Sequence, residues 1–401
     1  MALSTVGSTT RHSRSDRRSR SRRSGGTAAQ VEPSIGSIQI LDARVMRGPN
    51  RWSRSPMIRL LVDLGSLEER PTNTIDGFAA RLVEGLPGLE EHHCSLGRRG
   101  GFLERLRDGT WLGHVAEHVA LELQGLAGNR VTRGKTRRAG VDGRYDIVFA
   151  YRVESVGLAA GRSAVELVNA LVNGDQSVAG DALATTVERI VDELRRLSDR
   201  DGLGPSTQAI VDEARRRGIP WMRLDDRNLV QLGWGSHSRR IRATITDGTG
   251  TIATDLARDK DDAAAQFERA GLPVPRWDEA SSAEDAVRIA RKIGHPVVVK
   301  PIDGNHGRAV GLDLMDDVAV ARAFEAAAAG SQRRTALVQA QLPGRDHRLL
   351  VVGGRLVACA ERVSAYVVGD GESTIRALVD EANRDPRRGD GHARQLTRIR
   401  L

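Results

Sequence analysis

The stretch Pro296-Val-Val-Val-Lys-Pro-Ile-Asp-Gly-Asn-His-Gly-Arg308 decides how the second half of this chain is expected to fold. Residues 296–301 form a short apolar run that predicts a buried strand with Lys300 near its end. A buried ammonium group without a partner costs free energy, so we expect an anion to meet Lys300. The alternative is a lysine at a strand end that extends its amine into solvent. The glycines at 304 and 307 would let backbone N–H groups approach phosphate oxygens, so the stretch predicts a phosphate site.

A second lysine supports this prediction. Lys260 precedes a helix predicted over residues 261–270, which Gly271-Leu-Pro-Val-Pro275 ends. Only four of the 61 basic residues are lysines, and a chain that otherwise uses Arg favours Lys where a compact charge is needed. Repeated exchange of helices and strands predicts an α/β domain over residues 219–401. Its expected elements are strands over 241–246 and 296–301, helices over 261–270 and 283–293, and a strand from Ala336.

The first half has a different arrangement. The order of its strand and helix patterns predicts a small α+β domain over residues 36–175. We expect strands at 37–45, 57–64 and 145–153, and helices at 74–86, 101–107, 110–126 and 161–173. Residues 176–218 are expected to form a helical connector, in which Ser206 is the N-cap of the second helix.

Composition limits the classes of function. Residues 1–35 are rich in Ser, Arg and Gly and carry seven Arg against two acidic residues, so we expect a disordered tail. The alternative is a nucleic-acid-binding arm, which rests on that segment alone. Two cysteines far apart give no disulfide framework and favour a reducing cytoplasm. No apolar run approaches about 18 residues, which predicts no membrane span.

Several motifs together resemble one protein family. Two lysines with a glycine-rich loop after the second are the ATP-grasp pattern, and residues 301–308 look like the version found in cyanophycin synthetases. The resemblance implies a multidomain fold, with a small α+β N-terminal domain followed by an α/β ATP-grasp domain that is incomplete at its C-terminus. It covers residues 38–401 and extends through Arg44-Val-Met-Arg-Gly-Pro-Asn50, Gly100-Gly-Phe-Leu-Glu-Arg105 and Asn383-Arg-Asp-Pro-Arg-Arg-Gly-Asp-Gly-His392.

The resemblance also implies roles for single residues. Lys260 and Lys300 would hold the α- and β-phosphates of ATP. Val338 would belong to the hinge that binds adenine, and Gln339 stands where the family usually carries Glu, which would alter the strength of adenine binding. The other implied ATP-site residues are Gly304, Asn305, His306 and Gly307 in the loop, Asp346 at the ribose, and Arg348 and Arg362 at the γ-phosphate or an acyl phosphate.

The family's reaction is the formation of an amide bond with ATP and Mg²⁺. The implied ligase adds aspartate to the poly-Asp backbone of a cyanophycin primer, a further domain adds arginine, and the intact family is homo-oligomeric. Up to Leu401 we find no candidate for the family's magnesium ligands. We therefore expect the chain as written to make little or no polymer. A module that only binds the polymer is an alternative.

A second candidate site lies in the first domain. His114 and His118 share one face of a predicted helix with Glu117 between them, which matches an inverted zincin motif. Glu117 would be the general base and Glu122 the third Zn²⁺ ligand, with Glu91, His92 and His93 as substitutes. Some cyanophycin synthetases resemble this motif and use it to cleave polymer into primers. The alternative is a partly buried helix whose histidines form local hydrogen bonds.

Overall fold

A four-stranded antiparallel sheet with the order β1-β2-β4-β3 forms the base of the first core. The computed structural model describes residues 36–303, 307–391 and 393–401, so the expectations for residues 1–35, Gly304, Asn305, His306 and His392 lie outside the described residues. The strands of this sheet are β1 (Gln39–Met46), β2 (Met57–Asp63), β3 (Gly134–Arg138) and β4 (Arg144–Ala150).

Helices complete this core. α3 (Leu112–Leu126) and α4 (Glu154–Val172) pack against each other and against the sheet, with α1 (Phe78–Gly85) and α2 (Gly101–Asp108) beside them. The predicted α+β class of this region is confirmed. α4 begins at Glu154 and not at the expected residue 161, because the chain turns directly from the end of β4 into the helix.

The helical connector consists of two helices that pack in different cores. α5 (Asp181–Asp201) buries an apolar stripe of Leu183, Val187, Ile190, Val191 and Leu194 in the first core. α6 (Pro205–Arg216) packs instead on a small antiparallel sheet with the order β5-β6-β7-β8. Its N-cap is Gly204 and Pro205 is the first helical residue, so the expectation of Ser206 as N-cap is wrong. The fixed φ of proline is suited to the first helical position.

The small sheet is made of β5 (Trp221–Arg223), β6 (Leu229–Leu232), β7 (Arg239–Arg242) and β8 (Ile245–Thr246). One continuous strand was expected over residues 241–246. The structure has two strands because Ala243 adopts a left-handed conformation, with φ of 54°, that interrupts the extended chain. Two helices follow, α7 (Thr251–Arg258) and α8 (Lys260–Arg269).

The second core is a sheet with the order β11-β10-β12-β9, which α9 and α10 pack against. Its elements are β9 (Trp277–Ala280), α9 (Ala283–Ile293), β10 (Val297–Pro301), β11 (Gly311–Leu314), α10 (Asp317–Ala329) and β12 (Ala336–Ala340). The mixed helix and strand content predicted for this region is confirmed.

The last part of the chain is a hairpin and a short helical segment. The hairpin of β13 (His347–Val352) and β14 (Arg355–Glu361) is exposed along both strands. α11 (Ile375–Ala382) and the two-residue strands β15 (Arg388–Gly389) and β16 (Leu396–Thr397) follow. None of the helices in the described parts of the chain is both long and apolar enough to cross a membrane.

Candidate nucleotide and metal sites

The pleat of β10 decides where Lys300 points. Val297 and Val299 are fully buried in the second core, and in a strand successive side chains leave on opposite faces. Lys300 therefore lies on the opposite face from these two valines, where its ammonium group donates a hydrogen bond of 2.6 Å to the side-chain oxygen of Gln339 on β12. The predicted strand and the predicted end position of Lys300 are both present.

Lys260, the first residue of α8, comes to the same place. Its ammonium group donates to the backbone carbonyls of Pro301 (2.8 Å) and Ile302 (3.2 Å), directly after Lys300. Burial lowers the pKa of both lysines, and the charge of Lys260 lowers that of Lys300 further, while Asp303 and Asp259 oppose the shift at Lys260. We call Lys260 and Lys300 the lysine pair. Two cations held this close favour an anion between or beside them.

Two other residues expected at the ATP site, Gly307 and Val338, differ from each other in burial. Gly307 is exposed and has a φ of 69°. Val338 is buried in the middle of β12 and pairs with Val299 on one side and Asp278 on the other, so it lies within the sheet. Its role at an adenine hinge, and that of Gly307 at the phosphates, stay predictions.

Asp346 and Arg362 meet at the open end of the hairpin. Their side chains form an ion pair of 3.2 Å, and the Arg362 amide donates to the Asp346 carbonyl at 2.7 Å. Arg348 lies two residues further along, on β13, with its side chain exposed. The structure thus brings Asp346 to Arg362, and their expected contacts with ribose and phosphate stay predictions.

In the first core, a compact group of ionisable side chains surrounds one end of α3. We call His92, Cys94, His114, His118 and Glu122 the histidine cluster. One ligand atom each of Cys94, His114 and His118 lies within 4.8 Å of the others, and Phe102 of α2 stacks on the His118 ring at 4.0 Å. Sequence spacing predicted the two histidines on one helical face, and the structure confirms it.

Hydrogen bonds fix the ring orientations in the cluster. Glu122 lies 3.0 Å from His92 Nε2, and His92 Nδ1 lies 2.8 Å from His118 Nδ1. A carboxylate only accepts, so His92 Nε2–H donates to Glu122, and with a single proton on the His92 ring its Nδ1 accepts from His118 Nδ1–H. His118 then keeps its Nε2 lone pair for a ligand. A histidine whose second nitrogen is held in this way is the usual arrangement for a metal ligand.

His114 is held similarly. Its Nδ1 lies 2.9 Å from Thr110 Oγ1, and its Nε2 lies 3.3 Å from the sulfur of Cys94. Burial lowers the pKa of His114 to about 4, with Arg105 and Arg137 adding to the shift, and burial also lowers the pKa of His118 well below its ordinary value, with the neighbouring His114 and His92 adding to it. Both imidazoles are therefore neutral at physiological pH, which is the form that binds metals.

Glu117 lies on a different side of this arrangement. It is buried, accepts a hydrogen bond of 2.7 Å from Thr136 on β3, and approaches Gly134 so closely that a Cβ there would lie 2.4 Å from its Oε1. Burial raises the pKa of Glu117 to about 7, against the lowering effects of Thr136 and Arg137. Such a pKa suits a general base at neutral pH.

The contacts of the predicted third ligand differ from those of a thiol nearby. Glu122 was expected as the third metal ligand, and its carboxylate bonds to His92, whereas the sulfur of Cys94 lies within 4.8 Å of a ring nitrogen of His114 and of His118. The role of Glu122 as a metal ligand stays a prediction. Of the suggested substitutes, His92 forms a hydrogen bond with the ring of His118, and Glu91 forms an ion pair with Arg99 at the surface. Sequence reasoning missed Cys94, Thr110 and Phe102. Only the nearness of Cys94 to His92-His93 could have indicated it, because 20 residues separate it from His114.

Two family models match this chain. Residues 59–173 match the cyanophycin synthase-like N-terminal domain, and residues 259–347 match the ATP binding domain of the carbamoyl-phosphate synthase L chain. The first match contains the histidine cluster, and the second contains the lysine pair. Each match lies within one of the two regions predicted from the sequence.

Curated relatives match over nearly the whole chain. Cyanophycin synthetase from Synechocystis sp. is 46% identical over 365 residues, which are 90% of this chain and 41% of that protein. Cyanophycin synthetase from Trichormus variabilis is 46% identical over 367 residues, covering 91% of this chain and 40% of that protein. The chain therefore spans about two fifths of the length of these relatives.

Among solved structures, a bifunctional glutathione synthetase from Pasteurella multocida aligns over 87% of this chain and 66% of its own, with 17% identity and a TM-score of 0.34. That score is too low to establish a shared fold. The similarity therefore rests on the sequence matches. The alignment with the Synechocystis protein spans both matched regions, and nearly half of its aligned residues are identical. By these matches, the chain is similar over nearly its whole length to about two fifths of the cyanophycin synthetases, with one region like a cyanophycin synthase-like N-terminal domain and a second like the ATP binding domain of the carbamoyl-phosphate synthase L chain.

Proposed function

We propose that the second core binds ATP through the lysine pair and contributes to an ATP-dependent ligase that extends cyanophycin. The observation that carries this proposal is the convergence of Lys260 and Lys300, both half-buried and both with a lowered pKa, on one face of the sheet. An incoming phosphate would relieve the repulsion between the two ammonium groups. The site therefore fits the phosphates of a nucleotide.

In the complete reaction, ATP supplies the phosphoryl group that makes a carboxylate reactive toward an amine, with Mg²⁺ to balance its charge. This chain's residues would bind and orient. The lysine pair would hold phosphate oxygens, Gly304, Asn305, His306 and Gly307 would cover them, and Gln339 would fix the Lys300 amine by its hydrogen bond. Asp346, Arg348 and Arg362 are the proposed contacts to ribose and to the transferred phosphate.

The substrates of the proposed reaction follow from the relatives. We propose aspartate as the amino acid added to the backbone of a cyanophycin primer, arginine as a substrate of the longer relatives, a homo-oligomer as the assembly and the cytoplasm as the location. The named activity of the matched proteins, cyanophycin synthetase, supports these assignments.

Calorimetric titration of ATP with Mg²⁺ tests the nucleotide site. Lys300→Ala should weaken ATP binding by about ten- to a hundredfold, because a charge-assisted hydrogen bond contributes roughly 1.5–3 kcal/mol. Lys292→Ala is the matched control, since that lysine is exposed in the last turn of α9. Equal affinities for wild type and Lys300→Ala would sink the proposal. Aspartate incorporation into a primer, measured on the same proteins, tests the ligase reaction separately.

A second function is favoured by one observation in the first core. The sulfur of Cys94 and the two imidazoles of His114 and His118 lie within bonding reach of one ion, and neutral imidazoles with a thiolate are a usual set for Zn²⁺. Three protein ligands leave a fourth position for water, and Glu117, which has a raised pKa, would take a proton from that water after its carboxyl group turns away from Thr136. We propose that this site holds Zn²⁺ and that the domain hydrolyses cyanophycin.

Metal content and cleavage test this second function. The purified chain should bind about one equivalent of Co²⁺ with a sulfur-to-metal charge-transfer band, and Cys94→Ser should remove that band. Cys359→Ser is the control because that cysteine is exposed in the hairpin. Release of primers without ATP, lost in Glu117→Gln, would identify the hydrolase. Absence of both metal and cleavage would leave the domain as a polymer-binding module.

A further inference from the structure

A cavity of about 930 Å³ lies between the first core and the small sheet. It shares no lining residue with the lysine pair or the histidine cluster. Five separate stretches form its walls: the loop before β2, the loop before β3, the end of β4 with the two residues after it, the end of α6 with the start of β5, and Trp234 after β6. The cavity therefore exists only in the folded chain.

The ionisable groups that line this cavity have one sign of charge. Among the described residues that line it, every ionisable side chain apart from the phenol of Tyr151 is an arginine, and none is a carboxylate. We call it the arginine cavity, after Arg54, Arg130, Arg133, Arg152 and Arg215.

The composition of the chain does not account for a cavity lining with one sign of charge. Arginine is common in the protein, but 52 acidic residues stand against 61 basic ones overall, so a lining of five to none departs strongly from the mean. Clusters of like charge cost free energy, and in a concave wall of low dielectric they focus the field on what enters. The five arginines are exposed, so water screens part of this repulsion, and a bound anion would offset what remains.

Carboxylates near the cavity compensate only a part of this charge. Asp212 lies 3.8 Å from Arg152 and 3.6 Å from Arg215, so one carboxylate serves two guanidinium groups. Burial, and after it the charge of Arg152, lower the pKa of Arg215, with Asp212 opposing. Among the described residues, no acidic side chain lies within 4.0 Å of Arg54 or Arg130. The excess charge is therefore left for a ligand.

We propose that the arginine cavity binds a compact polyanion, a small molecule with two or more phosphate or carboxylate groups, at a site separate from the nucleotide site. Guanidinium groups suit such a ligand because they pair bidentately with the oxygens of phosphate and carboxylate. Five of them on walls that face one another hold several anionic groups at once, whereas a single chloride leaves most of the charge unpaired.

Calorimetric titration of the whole chain with tripolyphosphate, and separately with citrate, tests the proposal. The double variant Arg130→Ala/Arg215→Ala should bind the preferred probe at least about tenfold more weakly. Arg98→Ala/Arg216→Ala removes the same net charge from surface arginines that pair with Glu104 and Glu213 outside the cavity, and it should change affinity less than about twofold. Preference for tripolyphosphate identifies a phosphorylated ligand, and preference for citrate a polycarboxylate.

Three outcomes would overturn the proposal. In the first, neither probe binds at millimolar concentration. In the second, both double variants weaken binding equally, which indicates general charge attraction. In the third, Lys300→Ala abolishes tripolyphosphate binding while Arg130→Ala/Arg215→Ala retains it, which assigns the probe to the nucleotide site. Circular dichroism and melting of each variant separate loss of binding from loss of folding.

Discussion

The histidine cluster and the lysine pair use burial in opposite ways. In the first core, burial keeps His114 and His118 neutral and favours the protonated form of Glu117. In the second core, Lys260 and Lys300 are only partly buried, so the ammonium groups remain cationic and donate to uncharged oxygens. The first site is thus prepared for a cation that needs lone pairs, and the second for an anion that needs donors.

This difference follows from how each site is supported. Phe102 and the core helices enclose the histidine cluster, whose polar groups are bonded to one another. The lysine pair stands on a sheet face opposite the one that α9 and α10 cover. Changes in the first site should therefore affect stability, and changes in the second should affect ligand binding.

The largest expected effect is the loss of a support of the histidine cluster. Phe102→Ala removes a fully buried ring that stacks on His118, and a buried Phe→Ala change costs about 3–5 kcal/mol of unfolding free energy. Urea unfolding measures it. Phe267→Ala is the control because that ring, on α8, is half-exposed and should cost less than about 1 kcal/mol. Similar losses of unfolding free energy in both variants would show that Phe102 does not enclose the histidine cluster.

The next effect depends on pH. The pKa of Glu117 is raised on folding to about 7, so the folded protein binds more protons than the unfolded one between the ordinary value of 4.5 and 7. In the metal-free protein the carboxyl group therefore reduces stability as pH rises through this window. Glu117→Gln should stabilise the chain by up to about 3 kcal/mol at pH 8 and by little at pH 4. Melting curves across pH measure this.

Two outcomes bear on that prediction. Glu122→Gln changes a carboxylate that His92 contacts, and it should not reproduce the same profile of stability against pH. A constant difference between Glu117→Gln and wild type at all pH values would contradict the raised pKa.

A smaller effect concerns the partner of Lys300. Gln339→Glu would place a carboxylate within 2.6 Å of the ammonium group, raise its pKa and compete with the phosphates. ATP binding should weaken by about 1 kcal/mol, or roughly fivefold. Gln176→Glu, an exposed change of equal charge in the first half, is the control. Unchanged affinity in Gln339→Glu would show that phosphate does not reach Lys300.

The smallest effect is a proton taken up on binding. The pKa values of both lysines are lowered, so the lysine pair loses part of its positive charge before the pH reaches 10.5, the ordinary pKa of a lysine. A phosphate should raise those values again, so ATP binding at alkaline pH should be accompanied by net proton uptake. Calorimetry in buffers of different ionisation enthalpy measures this uptake. Lys300→Ala should abolish most of it, and an equal uptake in that variant would assign the proton elsewhere.

Sequence reasoning succeeded where the signal is local. A short apolar run that ends in Lys300, and helical spacing that joins His114 to His118, were sufficient to predict a strand and a helical face. The same reasoning predicted a helical connector that includes α5, although not the core that receives its apolar stripe. Pleat and helical repeat are properties of neighbouring residues, so a linear sequence determines them.

Tertiary packing decided the rest. Cys94 lies beside His114 because α2 and the turns before it bring a distant thiol to that histidine, and no spacing rule relates the two residues. The arginine cavity has the same origin, since Arg54, Arg130 and Arg215 are far apart in sequence and meet only where the first core contacts the small sheet. The sequence by itself thus determined which face of each element is apolar and which residues it carries. Which side chains face one another was decided by the packing of elements, because contacts between distant segments depend on the whole core.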